Sequence, residues 1–328
     1  MKSKRFELFF ILIVLLLAGL LLSLLVGPVP TKIHHLWSFI FNHDQTYAPI
    51  FLDLRLSRAL LAFLVGASLS LSGAILQGYF QNPMAGPFVV GVSSGASLGA
   101  VLAIYIGLNF QLFGFSLQSI FAFASGFVLV YFVYLLSQRN GLFKLETLLL
   151  TGIAAGALAS SLTSFFIFIK SDSFQQAVFW LLGSFSLADW SQIAVIAPYF
   201  VLCLVGAQWM AKDMNLLVLG DEVAQSLGCS VKRVRKIFLA LSTLLAASAV
   251  SVSGIIGFVG LIIPHLIRLL IGPDHRYLFF FSCLAGGVFL VYSDLVARTI
   301  LFPTELPIGI ITSGIGAPFF IYLLNHKR

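Results

Sequence analysis

The chain has 328 residues, of which 59% are hydrophobic and only 9% charged, with a mean hydropathy of +1.04. A soluble domain carries about a quarter of its residues as charges, so most of this surface must face lipid and a soluble globular protein is excluded. The formal charge of +7 comes from a few charges between apolar runs, a pattern typical of membrane topology and not of nucleic-acid binding.

The apolar runs, in chain order, predict ten membrane-spanning helices, each of which needs about 20 residues. They lie near residues 7–27, 57–79, 87–107, 115–136, 146–169, 192–211, 237–255, 256–271, 277–297 and 305–324. The first run is too long for the hydrophobic region of a signal peptide, so it is interpreted as helix 1. Residues 174–187 are too interrupted to span and are predicted to form a half-helix or an interfacial helix. The prediction is an all-α membrane protein in which residues 1–328 form a single transmembrane domain.

The positions of Lys and Arg predict its orientation. With the N-terminus inside, fourteen of the nineteen basic residues fall in inside segments. The five outside are Lys32, Arg55, Arg58, Lys170 and Arg298. This asymmetry favours ten spans with both termini inside the cell.

Small residues crowd the second, third and fifth runs, and two interpretations stay open. Small side chains allow close helix packing in lipid, or they form a smooth, weakly polar cavity wall. Residues 70–73 (SLSG) also resemble residues 251–254 (SVSG). These runs cross in opposite directions on the predicted topology, as inverted repeats would.

Residues 81–87, between the second and third runs, carry no charge. Pro83 and Pro87 exclude a regular helix there. Irregular backbone at membrane depth is tolerated mainly where it lines a cavity or is buried in protein. The segment is therefore either an ordinary turn or a turn that lines a gate.

The one long inside loop covers residues 211–236. Its segment 221–228 has helical spacing, with acids at the start, where the helix dipole favours them, and Gly228 as a stop. The loop is either a surface helix among topology-determining charges or a helix presented to a soluble partner.

On the outer side, Arg55 and Arg58 are three residues apart at the start of the second span, and Arg298 ends the ninth. Arginines at helix ends commonly extend to the interface, and the alternative is a basic patch that receives an acidic partner. No metal site or cofactor is predicted. The histidines His34, His35 and His43 lack acidic partners, and Cys203, Cys229 and Cys283 lack ligand spacing.

Eight sequence blocks resemble the permeases of ferric-siderophore, haem and vitamin B12 ABC importers. The blocks are residues 55–58 (RLSR), 66–77 (GASLSLSGAILQ), 82–85 (NPMA), 91–96 (GVSSGA), 180–184 (WLLGS), 219–228 (LGDEVAQSLG), 257–265 (GFVGLIIPH) and 305–309 (ELPIG). The resemblance extends from about residue 50 to the end of the chain.

The resemblance implies a homodimer with one pathway between the copies, two cytoplasmic ATP-binding subunits, and a solute-binding protein outside. It implies docking of the binding protein at Arg55, Arg58 and Arg298, and a cytoplasmic gate at Asn82 and Met84. The implied ATPase-coupling residues are Gly220, Asp221, Glu222, Ala224, Leu227 and Gly228. A second gate ring is not transferred, because Leu145 and Glu146 stand where relatives have small hydroxyl residues.

The sequence thus predicts the permease subunit of an ATP-driven importer in the bacterial inner membrane. No phosphate-binding loop is present in the chain, so ATP hydrolysis requires a separate subunit. The alternative, an ion-gradient-driven carrier, typically has ionisable residues near the membrane midplane, and none is found there. An intramembrane enzyme would need a catalytic motif, which is missing. The substrate is predicted to be a ferric siderophore, with haem, vitamin B12 or molybdate left open, as is the choice between homodimer and heterodimer.

Overall fold

The computed structural model describes residues 2–27, 29, 31, 33–41, 45–107, 111–112, 115–139, 142–143 and 145–326. Five residues used in the sequence analysis lie outside the described residues: Lys32, His43, Lys144, Lys327 and Arg328.

The described chain is almost entirely helical. Its helices are α1 (Lys2–Leu25), α2 (Ile33–Phe41), α3 (Ser57–Tyr79), α4 (Val92–Ile106), α5 (Leu117–Ser137), α6 (Leu145–Ile169), α7 (Phe174–Leu182), α8 (Trp190–Trp209), α9 (Ala211–Val218), α10 (Asp221–Ser226), α11 (Val231–Ser253), α12 (Val259–Ile271), α13 (His275–Ala297) and α14 (Ile308–His326). A π-helical segment (Pro49–Leu56) leads into α3, and 3-10 turns cover Gln45–Tyr47 and Ser171–Ser173. Two antiparallel pairs of two-residue strands flank α5: β1 (Gln111–Leu112) with β2 (Phe115–Ser116), and β3 (Gln138–Arg139) with β4 (Leu142–Phe143).

Each of the ten predicted apolar runs contains one helix, which confirms an all-α membrane protein. Within the described residues, seven helical stretches are long and apolar enough to cross a membrane. The helices α4 and α12 and the apolar part of α14 (Ile308–Tyr322) are shorter. The exact number of crossings and their orientation therefore remain predictions. The nine-residue α7 confirms the short helix expected within residues 174–187.

Two predicted boundaries were wrong. The helix α4 begins five residues after the predicted start of its run, because residues 87–91 form turns that end at Gly91 with a φ of +93°, a conformation that favours glycine. The helix α11 begins at Val231 and not at 237. The basic residues at the end of the predicted inside loop therefore lie on the first turns of α11.

The central helix is α3, which is buried along nearly its whole length and contacts α8, α11, α12 and α13. A Cβ added at Gly73 would lie 1.7 Å from the carbonyl oxygen of Gly260. A Cβ at Gly66 would lie 2.2 Å from the carbonyl oxygen of Gly286. In α3, then, the small residues serve close helix packing.

The small residues of α6 are arranged differently. Gly152 and Gly156 face residues 89–94, but Ala154, Ala157 and Ser161 are exposed. This face of α6 is left uncovered by the described part of the chain.

Candidate coupling and gate site

The candidate ATPase-coupling segment, residues 220–228, is a separate one-turn-and-a-half helix between two glycines. Gly220 has a φ of +108° and Gly228 a φ of +86°, so each allows a chain reversal that other residues would resist. Within this segment the side chain of Ala224 is fully buried, whereas Val223 and Leu227 are 45% and 59% exposed. The segment is thus anchored through one small residue and presents two apolar side chains outward.

A buried arginine connects this segment to the end of α3. The Arg235 Nη2 atom donates to Asp221 Oδ1 at 2.5 Å, and Nη1 donates to the Tyr79 carbonyl oxygen at 2.8 Å. Its guanidinium carbon also lies 5.1 Å from the centre of the Tyr79 ring. We call Asp221, Arg235 and Tyr79 the Arg235 link. It fastens α10 to the last turn of α3, whose carbonyl end favours a cation.

A second contact reaches the candidate gate turn, residues 81–87, directly. The Gln81 Nε2 atom donates to the carbonyl oxygen of Leu217, at the end of α9, at 2.6 Å. Gln81 has a φ of +50°, which marks the sharp change of direction after α3. The predicted coupling and gate residues, which are more than 130 positions apart in the sequence, therefore lie in one contact network.

The gate candidates themselves are at the surface of this turn. Asn82 is exposed and its Oδ1 accepts a hydrogen bond from the Met84 amide at 2.9 Å. Met84 is half-buried. The uncharged turn thus carries an exposed side-chain amide and a half-buried thioether at its surface.

The helix α9 is also fastened to the start of α13. Asn215 Nδ2 donates to Asp274 Oδ1 at 2.8 Å, and Asn215 Oδ1 accepts from the His275 amide at 2.9 Å. Hydrogen bonds from Arg276 hold the pKa of Asp274 well below its usual range. Asp274 is therefore a carboxylate at any physiological pH, and α9 is held at Asn215 as well as at Leu217.

Three of these contact residues, Gln81, Asn215 and Arg235, were missed as functional candidates in the sequence. For Arg235 a signal exists: it lies on the same helical face as Val231 and Phe238, four residues before it and three after. Gln81 and Asn215 are polar residues in loops or short helices and carry no comparable pattern.

At the other end of α3, the predicted docking arginines do not form the exposed patch that the sequence suggested. Arg55, Arg58 and Arg298 are 4%, 9% and 3% exposed. Arg58 pairs with Asp294 at 2.8 Å and with Glu305 at 2.9 Å. We call these three arginines and two acids the Arg58 cluster.

The remaining cations of this cluster also have partners within the chain. Arg298 Nε lies 3.6 Å from Asp294 Oδ2. Arg55 donates to Thr31 Oγ1 at 2.6 Å and to the carbonyl oxygen of Leu24. The exposure expected for these residues was wrong because acids and carbonyls from distant segments enclose them; their role in docking remains untested.

Among the described residues, no group of three His, Cys, Asp or Glu side chains could hold a metal ion. His35 instead stacks on Tyr47, with ring centres 4.3 Å apart. The cysteines Cys203, Cys229 and Cys283 are buried and not in disulfides. Burial raises the pKa of the Cys229 thiol, and Asp213 and Asp221 add to the effect.

Apolar helices surround a buried α3 that contains closely packed glycines. A short exposed helix is fastened beside an uncharged turn. Together these features define a multi-pass helical permease. The family model described as the FecCD transport family matches residues 15–326, and the chain belongs to that family. It is the permease subunit of an ABC importer and a multi-pass inner-membrane protein, a kind of subunit that works with ATP-binding subunits and a binding protein.

Relatives with known names cover most of the chain. It is 43% identical to the cobalamin import system permease protein BtuC of Halobacterium salinarum, over 88% of this chain and 76% of that protein. It is 38% identical to the hemin transport system permease protein HmuU of Yersinia pestis, over 99% of this chain and 97% of that protein. A solved structure of a metal-chelate type ABC transporter in an inward-facing conformation matches with a TM-score of 0.87 and 34% identity, over 97% and 99% of the two chains.

Proposed function

We propose that two copies of this chain form the pathway of an importer for a bulky metal chelate, with a ferric siderophore as the first candidate. Two separate ATP-binding subunits hydrolyse the ATP, and this chain performs no covalent chemistry. The names of the relatives support the substrate class, because cobalamin and haem are both large metal chelates.

The hydrogen bonds that connect the coupling segment to the end of α3, and α9 to the gate turn, are the observation that carries the proposal. A movement imposed on α10 reaches the end of α3 through Asp221 and Arg235, and reaches Gln81 through Leu217. Both routes end within a few residues of Asn82 and Met84. A soluble ATPase that pulls on the exposed Leu227 would thereby open or close the pathway.

The orientation follows from the charge asymmetry of the sequence. The coupling segment then faces the cytoplasm and the Arg58 cluster faces outward. The two lie at opposite ends of α3, whose 23 residues have a length of about 33 Å. The pathway runs between the copies, along the exposed small-residue face of α6, where Ala154, Ala157 and Ser161 would give a smooth wall.

Docking of the binding protein is proposed at the Arg58 cluster. Its three arginines exceed its two acids by one positive charge, which an acidic partner residue would compensate. Because the ion pairs are enclosed, we propose that docking compensates this charge without opening them. A charge-conserving Arg55→Lys variant should keep binding-protein affinity, whereas Arg55→Gln should weaken it; equal affinities would contradict the docking role.

Uptake by spheroplasts supplied with the binding protein tests the function. Labelled ferric siderophores, haem, vitamin B12 and molybdate are offered with ATP depleted, and separately with the proton gradient collapsed. We expect uptake of one iron chelate, lost only when ATP is depleted. Loss only on collapse of the gradient would contradict the proposal and favour the alternative, an ion-driven carrier.

A further inference from the structure

A groove runs along the outer surface of the protein between α5 and α11, two helices that are long and apolar enough to cross a membrane. Its volume is about 450 Å³, within the range of about 300–1,000 Å³ that is typical of small-molecule sites. Its floor is buried and consists of Val130, Leu239 and Thr243. Tyr131 and Leu135 form an exposed wall. No segment of the described chain fills it.

The groove is polar at one end only. Gln138, just after α5, and Lys236, in the second turn of α11, lie at that end, and the rest of the lining is aromatic or aliphatic apart from Thr243. Both side chains are exposed. Within the part of the chain that the structure describes, Lys236 makes no ion pair. The groove therefore has a free cation where its apolar channel meets the membrane surface.

The dimensions match one leaflet. The groove extends from Phe127 on α5 to Gln138 just after it, which corresponds to about 16 Å at the rise of a helix. Half of the hydrocarbon core of a bilayer is about 15 Å. An acyl chain that enters beside Lys236 would lie along the groove to about the bilayer midplane.

We propose that this groove binds one anionic phospholipid, with an acyl chain against Val130 and Leu239 and the headgroup phosphate at Lys236. A groove in a lipid-facing wall must be filled by hydrocarbon, since water there would lack partners. A basic side chain at its surface end selects a negative headgroup, as basic pockets between membrane helices do. Lys232 and Arg233, exposed on the preceding turn of α11, add to the positive potential.

The site is separate from the proposed pathway. The helix α5 contacts both α6 and α11, and the groove lies on its α11 side, whereas the exposed small residues are on α6. Lys236 directly follows Arg235, so a bound lipid would hold the turn of α11 that carries the Arg235 link. The inference does not depend on which chelate is transported.

Native mass spectrometry of the purified full-length chain tests the site. Phosphatidylglycerol and phosphatidylcholine are titrated into the detergent-solubilised protein, and bound lipid is counted. We expect one phosphatidylglycerol to bind preferentially, and Lys236→Gln to reduce that preference about fivefold, the effect of one basic residue near an anionic surface. Lys232→Gln, outside the groove lining, is the matched control and should reduce it less.

A second pair of variants tests the groove itself. Ala240→Phe fills the channel from α11 and should prevent retention of either lipid, while Ala194→Phe on the exposed face of α8 should not. Inorganic phosphate in excess should not displace the lipid, because the acyl chain supplies most of the binding. No headgroup preference in the wild-type protein, or unchanged preference in Lys236→Gln, would overturn the proposal even if Ala240→Phe fails to fold.

Discussion

The two ends of α3 are both fastened by a buried arginine, but the partners differ. At one end, Arg58 lies between Asp294 and Glu305, whose side chains are only 2% and 26% exposed. At the other end, Arg235 is even more deeply buried than Arg58, but its acidic partner Asp221 is 53% exposed and belongs to the six-residue α10. The remaining partner of Arg235 is a neutral carbonyl oxygen.

This difference distinguishes the Arg58 cluster, a fixed contact, from the Arg235 link, a contact that can change during the transport cycle. Opening the Arg58 cluster would leave buried charges without partners, which is costly in any low-dielectric surrounding. Opening the Asp221 pair would leave a carboxylate that water can solvate, and the buried Arg235 would keep the Tyr79 carbonyl oxygen as a partner, so the cost should be smaller. We infer that the Arg58 cluster keeps α3 in place and that the Arg235 link transmits movement.

The largest effect on the free energy of unfolding is expected for Arg58→Ala. Removing one partner of a buried ion pair costs about 3–5 kcal/mol, because Asp294 and Glu305 would be left without their shared cation. Denaturant titration of the detergent-solubilised protein, followed by tryptophan fluorescence, measures this loss. The exposed pair Arg276–Asp274 is the control, and Arg276→Ala should cost much less, because solvent screens an exposed pair. Equal losses in the two variants would remove the distinction between buried and exposed pairs.

Arg235→Gln is expected to have a smaller effect on stability but a larger one on coupling. The unpaired carbonyl of Tyr79 costs about 1–3 kcal/mol, and α10 loses its connection to α3. The expected phenotype is ATP hydrolysis without uptake, measured in proteoliposomes that contain the ATP-binding subunits. Arg233→Gln, an exposed neighbour on α11, should transport normally. Full uptake by Arg235→Gln would show that the link does not transmit movement.

Gln81→Ala should cost about 1 kcal/mol of stability, the usual contribution of one hydrogen bond. It also removes the direct contact with Leu217, so we expect uptake to fall by less than in Arg235→Gln. A double variant of Gln81 and Arg235 tests whether the two contacts act together. Strictly additive effects on uptake would mean that they are independent routes.

Leu227→Asp should leave the free energy of unfolding nearly unchanged, within about 0.5 kcal/mol, since surface substitutions usually do. Its effect should appear in the assembly of the permease with the ATP-binding subunits. The Leu227 side chain is 59% exposed, and the substitution removes this apolar group from the surface that the ATPase would contact. Co-purification of the ATP-binding subunits measures this, with Gln225→Glu on the same helix as control. Undiminished co-purification would place the ATPase contact elsewhere.

Much of the architecture was predictable because it depends on local composition. Runs of about 20 apolar residues predicted where the helices lie. The acids Asp221 and Glu222 predicted the start of α10, and Gly228 predicted its end. The start of α11 was misplaced because four basic residues in its first turns lower the local hydropathy, although Val231, Val234 and Phe238 already lie on one helical face.

The burial of the arginines was not predictable in the same way. A charge three residues into a helix looks the same in sequence whether it faces solvent or an acid from another segment. Arg58 and Asp294 are 236 positions apart, and Arg235 and Tyr79 are 156 apart. Only packing of α3 against α11 and α13 brings them together.

By itself, the sequence determined the membrane class, the apolar helices, the uncharged turn and the short helix between two glycines. These features follow from hydropathy, proline and glycine, which act over a few neighbouring residues. The tertiary structure decided which arginines are enclosed, which small residues pack and which remain exposed, and that the coupling segment is linked to the end of α3. Those outcomes depend on partners from other segments, up to 236 positions away. A charge or a polar group is stable in a buried position only where a partner meets it.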